Sequence, residues 1–129
     1  MRLLENNEPI KLNRAFERIV SHNNKRAYKN GGIGCLTVEE LHKAYDYFDG
    51  RCAYSGLKID KDFNFSLEHI IPIISGGHSV DFNCIPVIKR YNSSKSGYHL
   101  LDWWKCQNDG KGNTIYNPYR LLKIVNYIL

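Results

Sequence analysis

Apolar positions recur at helical spacing from residue 11 to residue 29. Leu12, Phe16, Ile19, Val20 and Ala27 fall mostly on one face, and basic residues occupy much of the remainder. The spacing predicts a helix over 11–29, closed by Asn30-Gly31-Gly32-Ile33-Gly34 as a flexible break. A second helix follows. Thr37 and Glu40 make a T-x-x-E capping box at its start. Val38, Leu41, Ala44, Tyr45 and Phe48 supply its apolar face, and Gly50 is its expected stop.

Beyond Gly50 the pattern changes. Residues 51–66 read as short extended pieces and turns. Ser66 to Ile73 is a short, strongly apolar strand candidate, which Pro72 places at an edge or near its end. Ser75-Gly76-Gly77-His78-Ser79 is a loop, and Cys84 to Ile88 is a second short strand. A helix is expected from near Lys89 to about Cys106, followed by a turn-rich stretch over 107–112. The last helix starts at Asn117-Pro118, with Asn as cap and Pro in the first turn. It carries Leu121, Leu122, Ile124, Val125, Ile128 and Leu129, an apolar set large enough to pack on the core. The order is helix, helix, a two-stranded hairpin with a wide loop, helix, helix. That is a small α+β fold with little sheet.

The 129 residues, 43% of them hydrophobic, suit one globular domain with a core of its own. No apolar run approaches the roughly 20 residues that span a bilayer. The first residues show no signal-peptide pattern, so a cytoplasmic, intracellular setting is expected. The net charge is +5, from 18 basic against 13 acidic residues, and it is unevenly spread. Between Lys11 and Lys29 lie Lys11, Arg14, Arg18, Lys25, Arg26 and Lys29, opposed only by Glu17. A polyanion contact and a solvated helix face both fit that stretch on charge alone. Cys35, Cys52, Cys84 and Cys106 are far apart and form no CxxC pair. They read as free, mostly buried thiols, and a four-cysteine zinc site is not supported.

The segment from Cys52 to Lys95 carries the chemistry. Glu68 and His69 stand side by side in an apolar strand candidate, where a charged pair is costly without a task or a partner. A carboxylate can hold a hard divalent cation, and a neutral imidazole can take a proton from water near pH 7. Asn83 and Asn92 also fall in apolar or helix-start contexts. Either can ligate a metal through its amide oxygen or hold a loop by hydrogen bonds. Lys89, Arg90 and Lys95 surround Asn92 and could hold phosphates.

The series E-H-I-I-P-I, G-G, D-F-N-x-I-P and Y-N-x-x-K resembles the HNH endonucleases, the ββα-metal nucleases. Asn83 lies 14 residues after His69, and Asn92 lies 9 residues after Asn83. Cys52-Ala53-Tyr54-Ser55-Gly56 resembles the C-x-Y-C/S/T-G turn that precedes the first strand in many members. The resemblance covers about residues 48–98 and is nearest to small phage-type and mobile-element nucleases and to the HNH domain of RNA-guided nucleases. The first 47 residues carry no signature of the family. The resemblance implies a ββα-metal core over 50–106; the apolar pattern adds a helical basic part over 11–49 and a C-terminal helix over 117–129, all in one domain. It implies that His69 is the general base, that Glu68 and Asn92 ligate one divalent metal (Mg²⁺ or Mn²⁺), and that Asn83 keeps His69 correctly turned. It implies DNA as partner, with Lys89, Arg90, Lys95, Arg14, Arg18, Lys25 and Arg26 as candidate phosphate contacts.

Three departures qualify the likeness. Glu68 stands where Asp is common. Asn92 stands where many members have His, which favours an oxygen-ligated ion such as Mg²⁺. Ser55, Ile88 and Tyr91 replace cysteines of the family's zinc pairs, so structural zinc is not expected and hydrophobic packing should take its place. A regular strand also points consecutive residues such as Glu68 and His69 to opposite faces. A non-catalytic nucleic-acid-binding module on the same scaffold, or a subunit active only in a larger nuclease or packaging complex, are the alternatives. A monomer would nick, whereas a homodimer could cut both strands.

Overall fold

A computed structural model describes residues 8–59, 64–92 and 100–129. It is an α+β structure with four helices and one two-stranded antiparallel hairpin. Helix α1 runs Glu8–Lys29 and helix α2 runs Val38–Tyr47. Strands β1 (Phe65–His69) and β2 (Cys84–Ile88) form the hairpin. Helices α3 (Leu100–Lys105) and α4 (Pro118–Ile128) complete the chain.

The expected face of α1 is the packed one. Phe16 and Ala27 are fully buried and Val20 nearly so, while Leu12 lies outside the described side chains. The Phe16 ring meets His42 and Tyr45 of α2 and Phe65 of β1 at centroid distances of 4.5, 5.5 and 5.2 Å. Helix α2 opens with the expected capping box. Glu40 N–H donates to Thr37 Oγ1 (3.1 Å), and Thr37 N–H donates to Glu40 Oε1 (2.9 Å). The helix stops at Tyr47, three residues before the expected Gly50, because Asp49 and Gly50 both take positive φ and turn the chain back.

In the hairpin, Phe65 pairs with Ile88, Leu67 with Pro86 and His69 with Cys84. Strand β1 ends four residues earlier than expected. After His69 the chain bends, and Pro72 leads into a single 3-10 turn at Ile73–Ser75. The continuous helix expected from Lys89 is absent. Lys89–Tyr91 makes one 3-10 turn and Asn92 is extended (φ −88°, ψ 141°). The physical reason is competition: Lys89 N–H donates to Asn64 O (2.7 Å), and the Asn92 amide donates to Leu67 O (3.1 Å) and to the Ser66 hydroxyl. Those bonds tie the segment to β1 rather than to a helical turn.

Trp103 and Trp104 of α3 are both buried, and Trp104 Nε1 donates to Tyr54 O at 2.9 Å. Helix α4 starts as expected, with the Asn117 side chain accepting from Tyr119 N–H (2.8 Å). Its apolar set is unevenly covered, with Leu121 packed against the core. Ile124 is buried, whereas Leu122 and Leu129 are 56% and 96% exposed. The helix lies at the edge, packing through Tyr127 on Tyr47 and Phe48. The four cysteines are free, Cys52 and Cys84 buried and Cys35 and Cys106 exposed. Among the described residues, no helix is long and apolar enough to cross a membrane.

Candidate active site

Glu68 and His69 close β1, and both are buried, at 3% and 6% exposure. Each meets a different hydroxyl, in keeping with alternation along a strand. Glu68 Oε2 accepts from the Tyr54 hydroxyl at 2.8 Å. Burial, then the charge and hydrogen bond of Glu68, push the Tyr54 phenol well above its ordinary range. It therefore stays protonated and donates. The turn over residues 53–56 holds Tyr54 in place, because Ala53 N–H donates to Pro86 O (2.9 Å) and Gly56 N–H to Cys52 O (2.8 Å).

His69 Nε2 lies 3.3 Å from Ser79 Oγ, and Ser79 is fully buried. Cys84, the cross-strand partner of His69, belongs to the same buried cluster. Its thiol is pushed up to about 12, chiefly by burial, with the Ser79 hydroxyl and Val80 backbone pulling the other way. Cys84 stays a thiol at neutral pH.

The loop that carries Ser79 is fastened from two sides. From the 3-10 turn just before β2, Asn83 acts as a clasp. Its Oδ1 accepts from Ile71 N–H (2.8 Å), and its Nδ2 donates to Ile71 O (3.1 Å) and His78 O (2.8 Å). From the other side comes the segment after α1. Ser79 N–H donates to Ile33 O (2.8 Å), and Ser79 O accepts from Cys35 and Leu36 N–H (3.1 and 3.0 Å). His78, exposed as expected, accepts through Nδ1 from Ile33 N–H (2.8 Å). Asn24 ties that segment to α1, exchanging two hydrogen bonds with Leu36 (2.9 and 3.1 Å). Gly34 permits the approach, since a Cβ there would lie 2.1 Å from Asn24 O.

Asn83→Ala removes three part-buried hydrogen bonds at once and leaves the loop's backbone at Ile71 and His78 without its clasp. Its expected cost is about 2–4 kcal/mol in urea-unfolding free energy. An unchanged unfolding midpoint would remove the clasp from this account.

Asn92 is half-buried, and its amide nitrogen is engaged with β1 at Leu67 O and Ser66, immediately before Glu68. The carboxylate of Glu68 and the amide of Asn92 thus belong to one stretch of strand. Both offer oxygen donors, the chemistry that Mg²⁺ and Mn²⁺ prefer. Among the described residues, no three His, Cys, Asp or Glu side chains gather as a metal-binding group. Cys52, Ile88 and Tyr91 are core residues.

The basic residues are unevenly disposed. Arg14, Arg18, Lys25 and Lys29 are exposed. With exposed His22 they fall within about 80° of one another around α1, in a stripe about 22 Å long. Arg26 is exposed but off that stripe, and its Nη1 donates to Asn23 Oδ1 (3.3 Å). Lys89 is exposed. Arg90 is exposed too, yet its Nη2 donates to Tyr91 Oη and Asp109 O, both at 2.9 Å, so it braces the following turn. Lys95 lies outside the described residues. The sequence places Tyr54 in the turn motif without a role at the site and gives Ser79 none. The turn motif could have flagged Tyr54; no signal in the sequence marks Ser79.

No protein-family model matches the chain, and no solved structure matches it. Among curated proteins it is similar to the "SPbeta prophage-derived putative HNH endonuclease YoqL" of Bacillus subtilis (strain 168), 30% identical over 103 residues that cover 72% of this chain. The match covers 41% of that relative, so the chain spans about two-fifths of its length. This likeness relates the chain to a protein that bears an HNH endonuclease name, in agreement with the resemblance carried by residues 48–98.

Proposed function

We propose that the chain is a metal-dependent endonuclease that hydrolyses phosphodiester bonds of DNA, with His69 as general base. The observation that carries this reading is the convergence at the end of β1. There Tyr54 holds Glu68 and Ser79 meets His69, while Asn83 fastens the loop that carries Ser79 and Asn92 is tied to the strand just before Glu68.

His69 takes the proton of the attacking water, and Ser79 at Nε2 holds the ring. Asn83 keeps the loop closed around that contact. Glu68 and Asn92 would hold the metal, with Tyr54 fixing the carboxylate. A divalent ion held there supplies Lewis-acid stabilisation of the charge that develops on the phosphate and the leaving oxygen. The stripe on α1 grips phosphates. Its helix is fastened through Asn24 and Ile33–Leu36 to the loop beside His69, so the grip and the base keep a fixed relation.

The test is cleavage of supercoiled plasmid with Mg²⁺, Mn²⁺ or EDTA, beside His69→Ala. Relaxed or linear product that needs metal and His69 supports the reading, and its form separates a nick from a double-strand cut. Duplex binding without cleavage under every metal would replace it with the binding-module or partner-dependent subunit.

A further inference from the structure

Arg120 is the residue the fold leaves unexplained. It sits in the first turn of α4, where the helix dipole disfavours a cation and no acidic residue stands. Its Nε is the buried side-chain polar atom that, among the described residues, lacks a hydrogen-bond partner. Buried polar groups are nearly always satisfied, so such an atom asks for a missing partner. Its guanidinium lies over Gly56, with Nη2 only 2.4 Å from where a Cβ would stand. Gly56 also has a φ of 72°, so glycine alone fits between the turn and the guanidinium.

A second guanidinium meets the same glycine. Arg51 Nη1 donates to Gly56 O at 3.1 Å. Arg51 stands opposite Lys58 in an isolated antiparallel bridge, and both are exposed. Three cations from separate parts of the chain therefore surround one turn. No carboxylate of the described residues pairs with any of them; the nearby Lys123 takes Asp49 instead, at 3.1 Å. Like charges gathered this way repel unless an anion lies among them. Planar guanidinium forks suit phosphate oxygens best.

We infer that Arg51, Lys58 and Arg120 form a second phosphate grip, which takes the sugar-phosphate backbone of nucleic acid beside the candidate active site. The assignment to nucleic acid rests on the function proposed above. Position supports it: the turn that Arg51 and Lys58 flank and that Arg120 packs against is the one that delivers Tyr54 to Glu68. The backbone would then be held at this turn as well as along α1.

The test is binding of a short fluorescein-labelled duplex in EDTA, across graded KCl, by wild type, Arg51→Gln, Arg120→Gln and the double variant, each first checked by thermal melting. Each lost phosphate contact lowers the slope of log affinity against log salt by about 0.9, uniformly across duplex sequences. The double variant is expected to lose about 1.8. Should Arg120→Gln fail to fold, exposed Arg51 carries the test alone. Slopes equal to wild type in folded variants would overturn the inference. So would inorganic phosphate that raises the melting temperature of wild type but not of Arg120→Gln while the duplex slopes stay equal, which would make this a free-phosphate site. A wild type that binds with the predicted slopes yet never cuts plasmid keeps the grip and loses the nuclease. A wild type that cuts while the variants keep full slopes loses the grip alone.

Discussion

Replacing His69 with alanine is expected to lower metal-dependent plasmid cleavage by about 10²–10⁴-fold, the span that a positioned general base contributes. The fold should survive. His69 is buried at the end of β1, and what the substitution removes there is one imidazole and its contact with Ser79. The loss of such a contact costs about 1–3 kcal/mol. Circular dichroism and thermal melting would therefore show a folded, somewhat less stable protein. Ser79→Ala is the weaker companion. It keeps the imidazole but removes one hold on the ring, while the loop stays fastened, because Ser79 ties Ile33, Cys35 and Leu36 through backbone atoms alone. Its cleavage should fall between wild type and His69→Ala. If His69→Ala cuts at the wild-type rate while EDTA still stops both proteins, the base lies elsewhere.

What the sequence revealed and what it hid follow one rule: local signals were legible and long-range ones were not. The Thr37–Glu40 capping box and the Asn117–Pro118 helix start are written in residues a few places apart, and both stand in the structure. The two strands were visible as apolar runs, and the residue spacing from Glu68 to Asn92 carried the family resemblance. The helix expected from Lys89 failed because its competitor is remote. Asn92 binds Leu67, 25 residues earlier, and no helical periodicity records that. Ser79 was hidden for the same reason, since its partners are His69 and residues 33–36. The apolar face of α4 was legible as a pattern, but how deeply it would be covered was not. Burial depends on what lies opposite: Ile124 joins the core and Leu121 packs against it, whereas Leu122 and Leu129 stay exposed.

Glu68→Gln is expected to separate stability from chemistry. In metal-free buffer the variant should be at least as stable as wild type. A buried carboxylate carries a desolvation cost that a neutral amide of the same shape avoids, and the amide oxygen can still accept from Tyr54. Cleavage, by contrast, should fall at least 10²-fold, because the charged oxygen donor that holds the ion is gone. Thermal melting with and without Mg²⁺ reads the same site without relying on activity. An ion that binds the folded chain stabilises it by about 1.4 kcal/mol at ten times its Kd, so wild type should melt higher with Mg²⁺ and Glu68→Gln should not. Tyr54→Phe divides the effect further. It keeps the carboxylate, so Mg²⁺ should still stabilise. It also removes a hydrogen bond to a charged group, which costs the metal-free fold about 1.5–3 kcal/mol. A Mg²⁺ shift of equal size in wild type and Glu68→Gln would place the metal away from β1. Asn92 would then be left as a tie between its own turn and Leu67, with no part in ligation.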